Sequence, residues 1–176
     1  MHANNEVGTI EPIREIAEIA QRHGIIVHTD AAQSIGKIPV QVDDLQVDLL
    51  SIAGHKLYAP KGIGALYVRT GTRLEKLIHG ANHEMNMRAG TENVAGIVGL
   101  GRAALLANAE VPERSQRLAA LGRRLRSGLA ARVPELVFTG HPEERLPGHV
   151  SFCVHYVEGE SLLLMLDAKG VSAASG

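Results

Sequence analysis

The sequence predicts an α/β fold in which helices cover a mostly parallel sheet. The first observation is a strand–helix–strand–strand order within residues 1–69, at segment lengths typical of α/β layers. The second is that the strand candidates are short, largely apolar runs bounded by turn residues, as buried strands are. With 176 residues, of which 45% are hydrophobic, the chain is long enough to bury a core around such a sheet.

The first helix is predicted to begin near Pro12, because proline favours the first helical turn, and to end at Gly24. Its apolar stripe at helical spacing consists of Ile13, Ile16, Ala17, Ile19 and Ala20. The run 25–28 then predicts a buried strand with Asp30 at its end. Residues 31–36 predict a turn or a short helix, so helix and strand alternate from the start of the chain.

Two more strands are predicted after a brief helical turn at residues 43–45. Residues 47–52 form an apolar run, and residues 64–69 contain enough β-branched and aromatic side chains to form a strand. The glycine-rich stretch between them predicts a return of the chain. Residues 73–78 predict a short helix, and residues 80–90, rich in Asn, Met and Gly, predict a polar loop.

After residue 90 the pattern changes to long helices separated by short strands. Helices are predicted at 92–108, 113–132 and 160–169, and strands at 136–138 and 149–157. Pro112 is expected to break or restart the helix, because proline lacks the backbone N–H that a helix needs. The change of pattern near Glu110 predicts a domain boundary, with one unit over residues 1–109 and another over residues 110–176.

Composition and charge exclude several kinds of protein. The net charge is −1, so there is no electrostatic case for a nucleic-acid or membrane-surface partner. No uninterrupted apolar run approaches about 18 residues, so no membrane-spanning helix is expected. The single cysteine, Cys153, excludes an internal disulfide framework and fits a reducing compartment. We therefore expect a cytoplasmic protein in which Cys153 is a structural residue of its strand.

Polar residues that could carry chemistry lie next to the apolar runs. They are Asn5, Asp30, Gln33, His55 and Lys56. Lys56 lies just past the end of a strand, where open α/β sheets bind their ligands. A lysine in such a place can act as a nucleophile or form a Schiff base. The ordinary alternative is an exposed lysine in a surface loop.

One ligand would satisfy these groups together, namely an aromatic nitrogen heterocycle with a phenolic oxygen, an aldehyde and a phosphate. That ligand is pyridoxal 5′-phosphate. A carboxylate such as Asp30 would hold the ring nitrogen protonated, which makes the ring an electron sink. An amide pair can bond the phenolic oxygen, and the lysine can form the Schiff base. The alternative for Asp30 is a helix cap before the residues that follow it.

Several motifs resemble those of one enzyme family, in the same order along the chain. They are ANNEVG at 3–8, HTDAAQ at 28–33, SIAGHKLYAPKGIGALYVR at 51–69, MRAGTEN at 87–93 and YVEGESLL at 156–163. Together they resemble the class V aminotransferase group of pyridoxal-phosphate enzymes, and within it the cysteine desulfurases and the similar selenocysteine lyases. The resemblance covers essentially the whole chain. It implies the PLP-dependent transferase fold type I, with part of the large, mostly parallel-sheet domain and the start of the small α+β C-terminal domain.

The resemblance also implies a role for each residue on the ring side of the cofactor. Lys56 would bind the cofactor as a Schiff base and move a proton during turnover. Asp30 would pair with the pyridine nitrogen, and Gln33 would bind the phenolic oxygen. Asn5 would make a second contact near that oxygen and the substrate.

On the phosphate side, the resemblance implies that His55 contacts the phosphate. It implies that Thr91 contacts the phosphate across a subunit interface, and therefore a homodimer with shared sites. The family often has a hydroxyl residue where this chain has Ala53, so one phosphate hydrogen bond is in doubt. The family often has GGGQE or GGGHE where residues 80–84 read GANHE, which leaves the shape of that loop open.

The activity that the resemblance implies is that of a cysteine desulfurase, which uses pyridoxal 5′-phosphate to convert L-cysteine to L-alanine. The sulfur would pass to an enzyme cysteine as a persulfide and then to a sulfur-acceptor protein, for iron–sulfur cluster or thio-cofactor assembly. The family's catalytic cysteine follows a motif that this chain matches only as far as SAASG at 172–176. We therefore expect an internal fragment that is inactive by itself. The alternatives are a selenocysteine lyase and a truncated, non-catalytic chain.

Overall fold

A computed structural model describes residues 1–175 and contains a three-stranded sheet, a two-stranded sheet and five α-helices within that range. In chain order the elements are α1 (Ile13–Arg22), β1 (His28–Asp30), α2 (Val42–Leu45), β2 (Leu49–Ala53), a 3₁₀-helix (Gly54–Leu57), β3 (Gly64–Val68), α3 (His83–Asn86), α4 (Val94–Ala130), β4 (Leu136–Phe138), β5 (Phe152–Val154) and α5 (Gly159–Asp167). Gly176, the last residue of the SAASG motif, lies outside the described residues.

The larger sheet has the strand order β1–β2–β3. β1 runs parallel to β2, in a register that places Asp30 opposite Ser51. β3 runs antiparallel to β2, with Gly64 opposite Ala53, because the glycine-rich loop between them reverses the chain. The smaller sheet is the antiparallel pair β4–β5. The predicted α/β class is therefore confirmed, and one of the two pairings in the larger sheet of residues 1–175 is parallel.

Two apolar clusters hold the larger sheet to its helices. The buried members of the first cluster, which joins α1 to β2, are Ile13, Ala31, Val47 and Leu50. The buried members of the second, which joins the 3₁₀-helix to α4, are Leu57, Ala59, Ala103 and Ala107. Each fully buried leucine side chain stabilises the fold by about 1.5–3 kcal/mol. The second cluster thus fixes the segment that carries Lys56 against a long helix.

The first strand is shorter than the apolar run that predicted it. Ile25 and Ile26 are 59% and 54% exposed and lie outside β1, so the prediction of a buried strand over residues 25–28 is wrong for them. The backbone N–H of Val27 donates a hydrogen bond to Asp48 Oδ2 at 2.8 Å. The Asp48 carboxylate therefore accepts this hydrogen bond in place of a backbone carbonyl of a neighbouring strand, and β1 begins only after Val27.

Residues 73–78 form no helix, contrary to the prediction, and Leu77 is 91% exposed. A helix of this length is unstable in water unless an apolar face packs on the rest of the protein. The carbonyl of Ile78 instead accepts a backbone hydrogen bond from Ala89 at 3.3 Å, which ties the segment to the polar loop at 80–90. That loop contains the short segment α3, in which Glu84, Met85 and Asn86 have positive φ values and form a left-handed turn. In the second half of the chain, the predicted strand 149–157 is likewise reduced to β5.

Helix α4 runs without interruption through Pro112, so the predicted break at this proline is wrong. Its buried residues include Ala103, Ala107 and Val111, which continue the packed side of the helix up to the proline. This packing offsets the cost of about 3 kcal/mol that an internal proline imposes. The domain boundary before residue 110 falls inside α4 and stays a prediction.

By length and composition, α4 is apolar enough to cross a membrane. The expectation rested on uninterrupted apolar runs, so this average over an interrupted segment does not overturn it, and the absence of a membrane-spanning helix stays a prediction. Arg102 and Glu110 interrupt the apolar run, but the average over 18 residues still reaches a hydropathy of 1.4. One such helix is weak evidence for a membrane span, because core helices of globular proteins pass the same test.

The loop before α1 is held in place by the segment between β4 and β5. Arg145 Nη2 donates a hydrogen bond to the carbonyl of Val7 at 3.2 Å. His149 Nε2 lies 2.8 Å from the carbonyl oxygen of Glu6. These contacts connect residues more than 130 positions apart. The loop contains Asn5, so the last part of the chain fixes the backbone around a predicted site residue.

Alanine at Gly36 should destabilise the complete protein, whereas alanine at Gly128 should stabilise it. Gly36 has a φ of +73°, and an added Cβ would lie 2.5 Å from Leu57 Cδ2. The left-handed backbone and the overpacking together cost at least about 2 kcal/mol. Gly128 lies in α4 with nothing within 4 Å of an added Cβ, so the gain there is about 0.5–1 kcal/mol. Urea denaturation measures both changes, and an unchanged free energy of unfolding for Gly36→Ala would contradict the packing described here.

Candidate functional site

The parallel pairing of β1 with β2 brings two predicted site residues to one end of the sheet. β1 ends at Asp30, and β2 ends at Ala53, shortly before Lys56. The backbone N–H of Ala31 donates to the carbonyl of Ser51 at 3.0 Å, so the chain that leaves β1 stays beside β2. The carboxyl ends of parallel strands are where open α/β sheets bind their ligands.

Asp30 presents a carboxylate of which one oxygen is already bonded. Its Oδ1 accepts a hydrogen bond from the backbone N–H of Ala32 at 2.8 Å, a local contact of the capping kind. Within residues 1–175, its Oδ2 accepts no hydrogen bond from the protein, and the residue is exposed. The preceding Thr29 is buried, because alternate strand residues point to opposite faces. Asp30 therefore lies on the face away from the core with one oxygen available to a ligand.

The turn after β1 carries Gln33, whose Oε1 accepts a hydrogen bond from Lys37 Nζ at 2.8 Å. Both residues are half-buried. Burial and, to a smaller degree, the positive charge of Lys56 lower the pKa of Lys37. An added Cβ at Gly36 would lie 2.5 Å from Leu57 Cδ2, so the turn that carries Gln33 and Lys37 packs against the 3₁₀-helix that carries Lys56, at the same end of the sheet.

Lys56 and His55 lie in the 3₁₀-helix that follows β2, and both are exposed. The two ends of this short helix, Gly54 and Leu57, are buried. The backbone N–H of Gly54 also donates to the carbonyl of Ile63 at 2.9 Å. Anchored ends fix the backbone between them, so the side chains of His55 and Lys56 extend from a well-fixed turn and not from an open loop.

Asn5 lies exposed in the loop before α1. The Oδ1 atom of Asn4 accepts a hydrogen bond from the backbone N–H of Glu6 at 2.8 Å, which shapes the turn around Asn5. The backbone N–H of His2 donates to the carbonyl of Asp30 at 2.8 Å. The loop therefore begins beside Asp30, at the same end of the sheet.

The predicted phosphate contacts are not assembled within the described part of the chain. His55 lies beside Lys56, but Thr91 is exposed before α4, and no hydrogen bond in residues 1–175 joins its side chain to another predicted site residue. Ala53 supplies no hydroxyl. The nearby Ser51 hydroxyl lies 2.8 Å from His28 Nε2. Residues 1–175 thus place the predicted ring-side residues Asp30, Gln33 and Lys56 at one end of the sheet, and the cofactor roles of all the predicted site residues stay predictions.

A buried pair that the sequence did not reveal joins the Asn5 loop to the turn that carries Gln33. His2 Nδ1 lies 2.9 Å from Ser34 Oγ, and Ser34 Oγ donates to the carbonyl of Ala31 at 3.2 Å. Because a hydroxyl has a single hydrogen, His2 Nδ1 is the donor in this pair. Burial lowers the pKa of His2. The two residues are 32 positions apart, so no local pattern could have connected them.

The polar groups at this end of the sheet fit the ring of pyridoxal phosphate. The available Asp30 oxygen suits a protonated ring nitrogen, and the Lys56 amine suits an aldehyde. The NH₂ group of Gln33 suits a phenolic oxygen. The described residues 1–175 contain no group of three or more His, Cys, Asp or Glu side chains that could hold a metal ion.

Comparison with known sequences supports this assignment. The family model described as aminotransferase class-V matches residues 1–176. A protein named cysteine desulfurase IscS, from Dictyoglomus turgidum, is 52% identical over 176 residues, which are 100% of this chain and 45% of the relative. The chain therefore spans less than half the length of this curated relative.

Comparison with solved structures shows the same fold. A structure titled NifS-like protein is 37% identical, has a TM-score of 0.93, and is matched by 100% of this chain over 48% of its own length. A structure titled SspA in complex with cysteine is 34% identical with a TM-score of 0.69, over 96% of this chain and 45% of its own length. NifS-like proteins have the PLP-dependent fold type I, so the predicted fold type is confirmed. The selenocysteine lyase alternative is not better supported.

Loss of the His2–Ser34 contact should lower both the stability of the complete protein and its sensitivity to acid. His2→Ala leaves the buried Ser34 hydroxyl without its donor, so the free energy of unfolding should fall by about 1–3 kcal/mol. His2→Asn can place an amide N–H where Nδ1–H lies and should retain most of that stability.

The acid sensitivity follows from the lowered pKa of His2. The unfolded chain binds more protons than the folded one as the pH falls below the ordinary histidine value of 6.5, so the wild-type protein loses stability in that window. His2→Asn removes this contribution. Thermal denaturation at about pH 7.5 and about pH 5.5 compares the two proteins, and an equal loss in both would show that His2 does not titrate in this way.

Proposed function

The chain belongs to the class-V aminotransferase family, and from that premise we propose that the complete protein containing it is a pyridoxal-phosphate-dependent cysteine desulfurase. The observation that carries the proposal is the placement of Asp30, Gln33 and Lys56 at the carboxyl end of one parallel strand pair. A carboxylate, an amide and an amine there match the three polar positions of the cofactor ring. The names of the relatives supply the reaction.

Asp30 is the residue proposed to hold the ring nitrogen. Its available Oδ2 would accept a charge-assisted hydrogen bond from the protonated pyridine N–H. When bound, the cofactor supplies an electron sink for charge that develops at the substrate α-carbon. Asp30 makes that sink effective because an anion at this position keeps the ring nitrogen protonated. The Ala32 N–H bond to Oδ1 keeps the carboxylate in one orientation.

The other side of the ring is proposed to contact Lys56, Gln33 and Asn5. The amine of Lys56 would hold the cofactor covalently through its aldehyde carbon and, once displaced by substrate, would carry a proton. Gln33 and Asn5 would donate hydrogen bonds to the phenolic oxygen. The buried ends of the 3₁₀-helix limit how far the Lys56 backbone can move during these exchanges.

His55 is proposed to contact the phosphate, and Thr91 is proposed to reach the phosphate of a second subunit's site. The exposure of Thr91 in the segment before α4 leaves it accessible to a second copy. We therefore propose a homodimer with shared sites. The single cysteine of the chain supports a reducing, cytoplasmic location.

The proposed substrate is L-cysteine, in line with the names of the desulfurase relatives and with the cysteine complex of SspA. In the overall reaction the substrate C–S bond breaks and its sulfur forms an S–S bond with an enzyme thiol. The substrate β-carbon gains a proton, which leaves L-alanine and a persulfide. A sulfur-acceptor protein would then take the sulfur for iron–sulfur cluster assembly.

Lys56→Ala should abolish alanine release by the complete protein, because no other group is proposed to hold the cofactor covalently. The assay supplies L-cysteine, pyridoxal phosphate and a thiol reductant, and measures alanine and sulfide in equal amounts. Borohydride reduction followed by peptide mass analysis should locate the cofactor on Lys56 in the wild type. Lys169→Ala is the matched control, since Lys169 is exposed beyond α5. A wild-type protein that binds the cofactor on Lys56 yet releases no alanine from cysteine would overturn the desulfurase assignment.

Asp30→Asn should weaken cofactor binding and remove activity together. A charge-assisted hydrogen bond contributes about 1.5–3 kcal/mol, so the Kd for pyridoxal phosphate should rise by about 10- to 150-fold. Turnover should be lost even at saturating cofactor, because a neutral amide does not keep the ring nitrogen protonated. Asp44→Asn, an exposed change in α2, should leave both quantities unaltered. Full turnover by the saturated Asp30→Asn protein would contradict the role given to this carboxylate.

A further inference from the structure

We propose that Lys37 is a positioning residue that fixes the side-chain amide of Gln33 with its NH₂ group as the end available to the cofactor's phenolic oxygen. The proposal rests on the proposed function, because it names how one of the cofactor contacts is oriented. It adds a residue to which neither the sequence motifs nor the relatives' names assign a role. The observation behind it is the contact between Lys37 Nζ and Gln33 Oε1 at 2.8 Å.

The direction of the amide follows from the chemistry of the two groups. A glutamine side chain ends in one acceptor oxygen and one NH₂ donor, and it can face a neighbour with either. A lysine ammonium has three donors and no acceptor. Only the oxygen of Gln33 can therefore face Lys37 at this distance. The NH₂ group of Gln33 is left as the end that a ligand meets.

The local backbone holds Lys37 where it can do this. The backbone N–H of Lys37 donates to the carbonyl of Ser34 at 3.0 Å, within the turn that follows β1. Gly36, with its left-handed φ of +73°, turns the chain just before Lys37 and packs against Leu57. Gln33 and Lys37 are four positions apart and both half-buried, so water competes less for their contact than on an open surface.

The charge of Lys37 favours the same ligand group. Lys37 follows Gly36, which packs against Leu57 of the 3₁₀-helix that carries Lys56, and burial together with the charge of Lys56 lowers the pKa of Lys37. Two cations near one amide favour an anionic acceptor beside it, and a phenolate oxygen is such an acceptor. A hydrogen bond from Gln33 to that oxygen would place the negative charge within reach of both lysines. The other reading of the contact is a turn-stabilising pair with no influence on the ligand.

The test uses the complete protein after its cofactor has been removed. This protein is titrated with each of two ligands, and the Kd values are compared. One is pyridoxal phosphate, and the other is its analogue with hydrogen in place of the phenolic hydroxyl. Lys37→Met should raise the Kd for pyridoxal phosphate by about tenfold and leave the Kd for the analogue nearly unchanged. Lys37→Arg, which keeps a donor-only cation, should retain most of the affinity for pyridoxal phosphate. Lys169→Met controls for the loss of one positive charge.

A second comparison separates positioning from a purely structural role. In a Gln33→Ala background the further change Lys37→Met should cost little additional affinity, because the amide that Lys37 orients is absent. An equal loss for both ligands, no loss for either, or a full additional loss in that background would each overturn the proposal. Lys37→Leu provides the same comparison if Lys37→Met does not fold. A wild-type protein that binds no pyridoxal phosphate would overturn the proposed function as well, so the two failures are distinguishable.

Discussion

The parallel pairing of β1 with β2 is the constraint on which the candidate site depends. It places Asp30 opposite Ser51 and directs both strands towards the same edge, where Lys56 follows within the next turn. Because side chains alternate across a strand, a slip of one residue would bury Asp30 and expose Thr29. The core residues Val47 and Leu50, almost fully buried, oppose such a slip. The position of the carboxylate is therefore set by apolar packing on the other face of the sheet.

The second requirement is that the turn after β1 stays against the 3₁₀-helix after β2. Gly36 makes this possible, since its lack of a side chain admits Leu57 to the space where a Cβ would lie. Ala107 of α4 belongs to the same apolar cluster as Leu57. The turn that carries Gln33 and the turn that carries Lys56 are thus packed through one small region. Helix α4 covers that region, although it begins only at Val94, 38 residues after Lys56 in the sequence.

Contacts between distant parts of the chain complete the arrangement. The His2–Ser34 pair joins the Asn5 loop to the Gln33 turn, and Arg145 joins the same loop to the segment before β5. Both use hydrogen bonds in partly or fully buried places, where an unpaired polar group is costly. The Asn5 loop is therefore ordered from two sides although it has no regular secondary structure. This is how an exposed residue can keep a defined position relative to Asp30.

The sequence by itself determined the class of fold, the family, and the candidates Asp30 and Lys56, because these depend on local patterns: a short apolar run, the turn residues after it, and motifs in a fixed order. It also indicated α1 and its end at Gly24, since the stripe, the proline and the glycine all lie within one segment. Only the tertiary structure decided where β1 begins, that residues 73–78 stay non-helical, and that α4 continues through Pro112. In each case a partner far away in sequence supplied or withheld the packing or the hydrogen bond. The same holds for the contact of His2 with Ser34 and for the nearness of Lys37 to Lys56, which exist because the folded chain brings together groups that no sequence window contains.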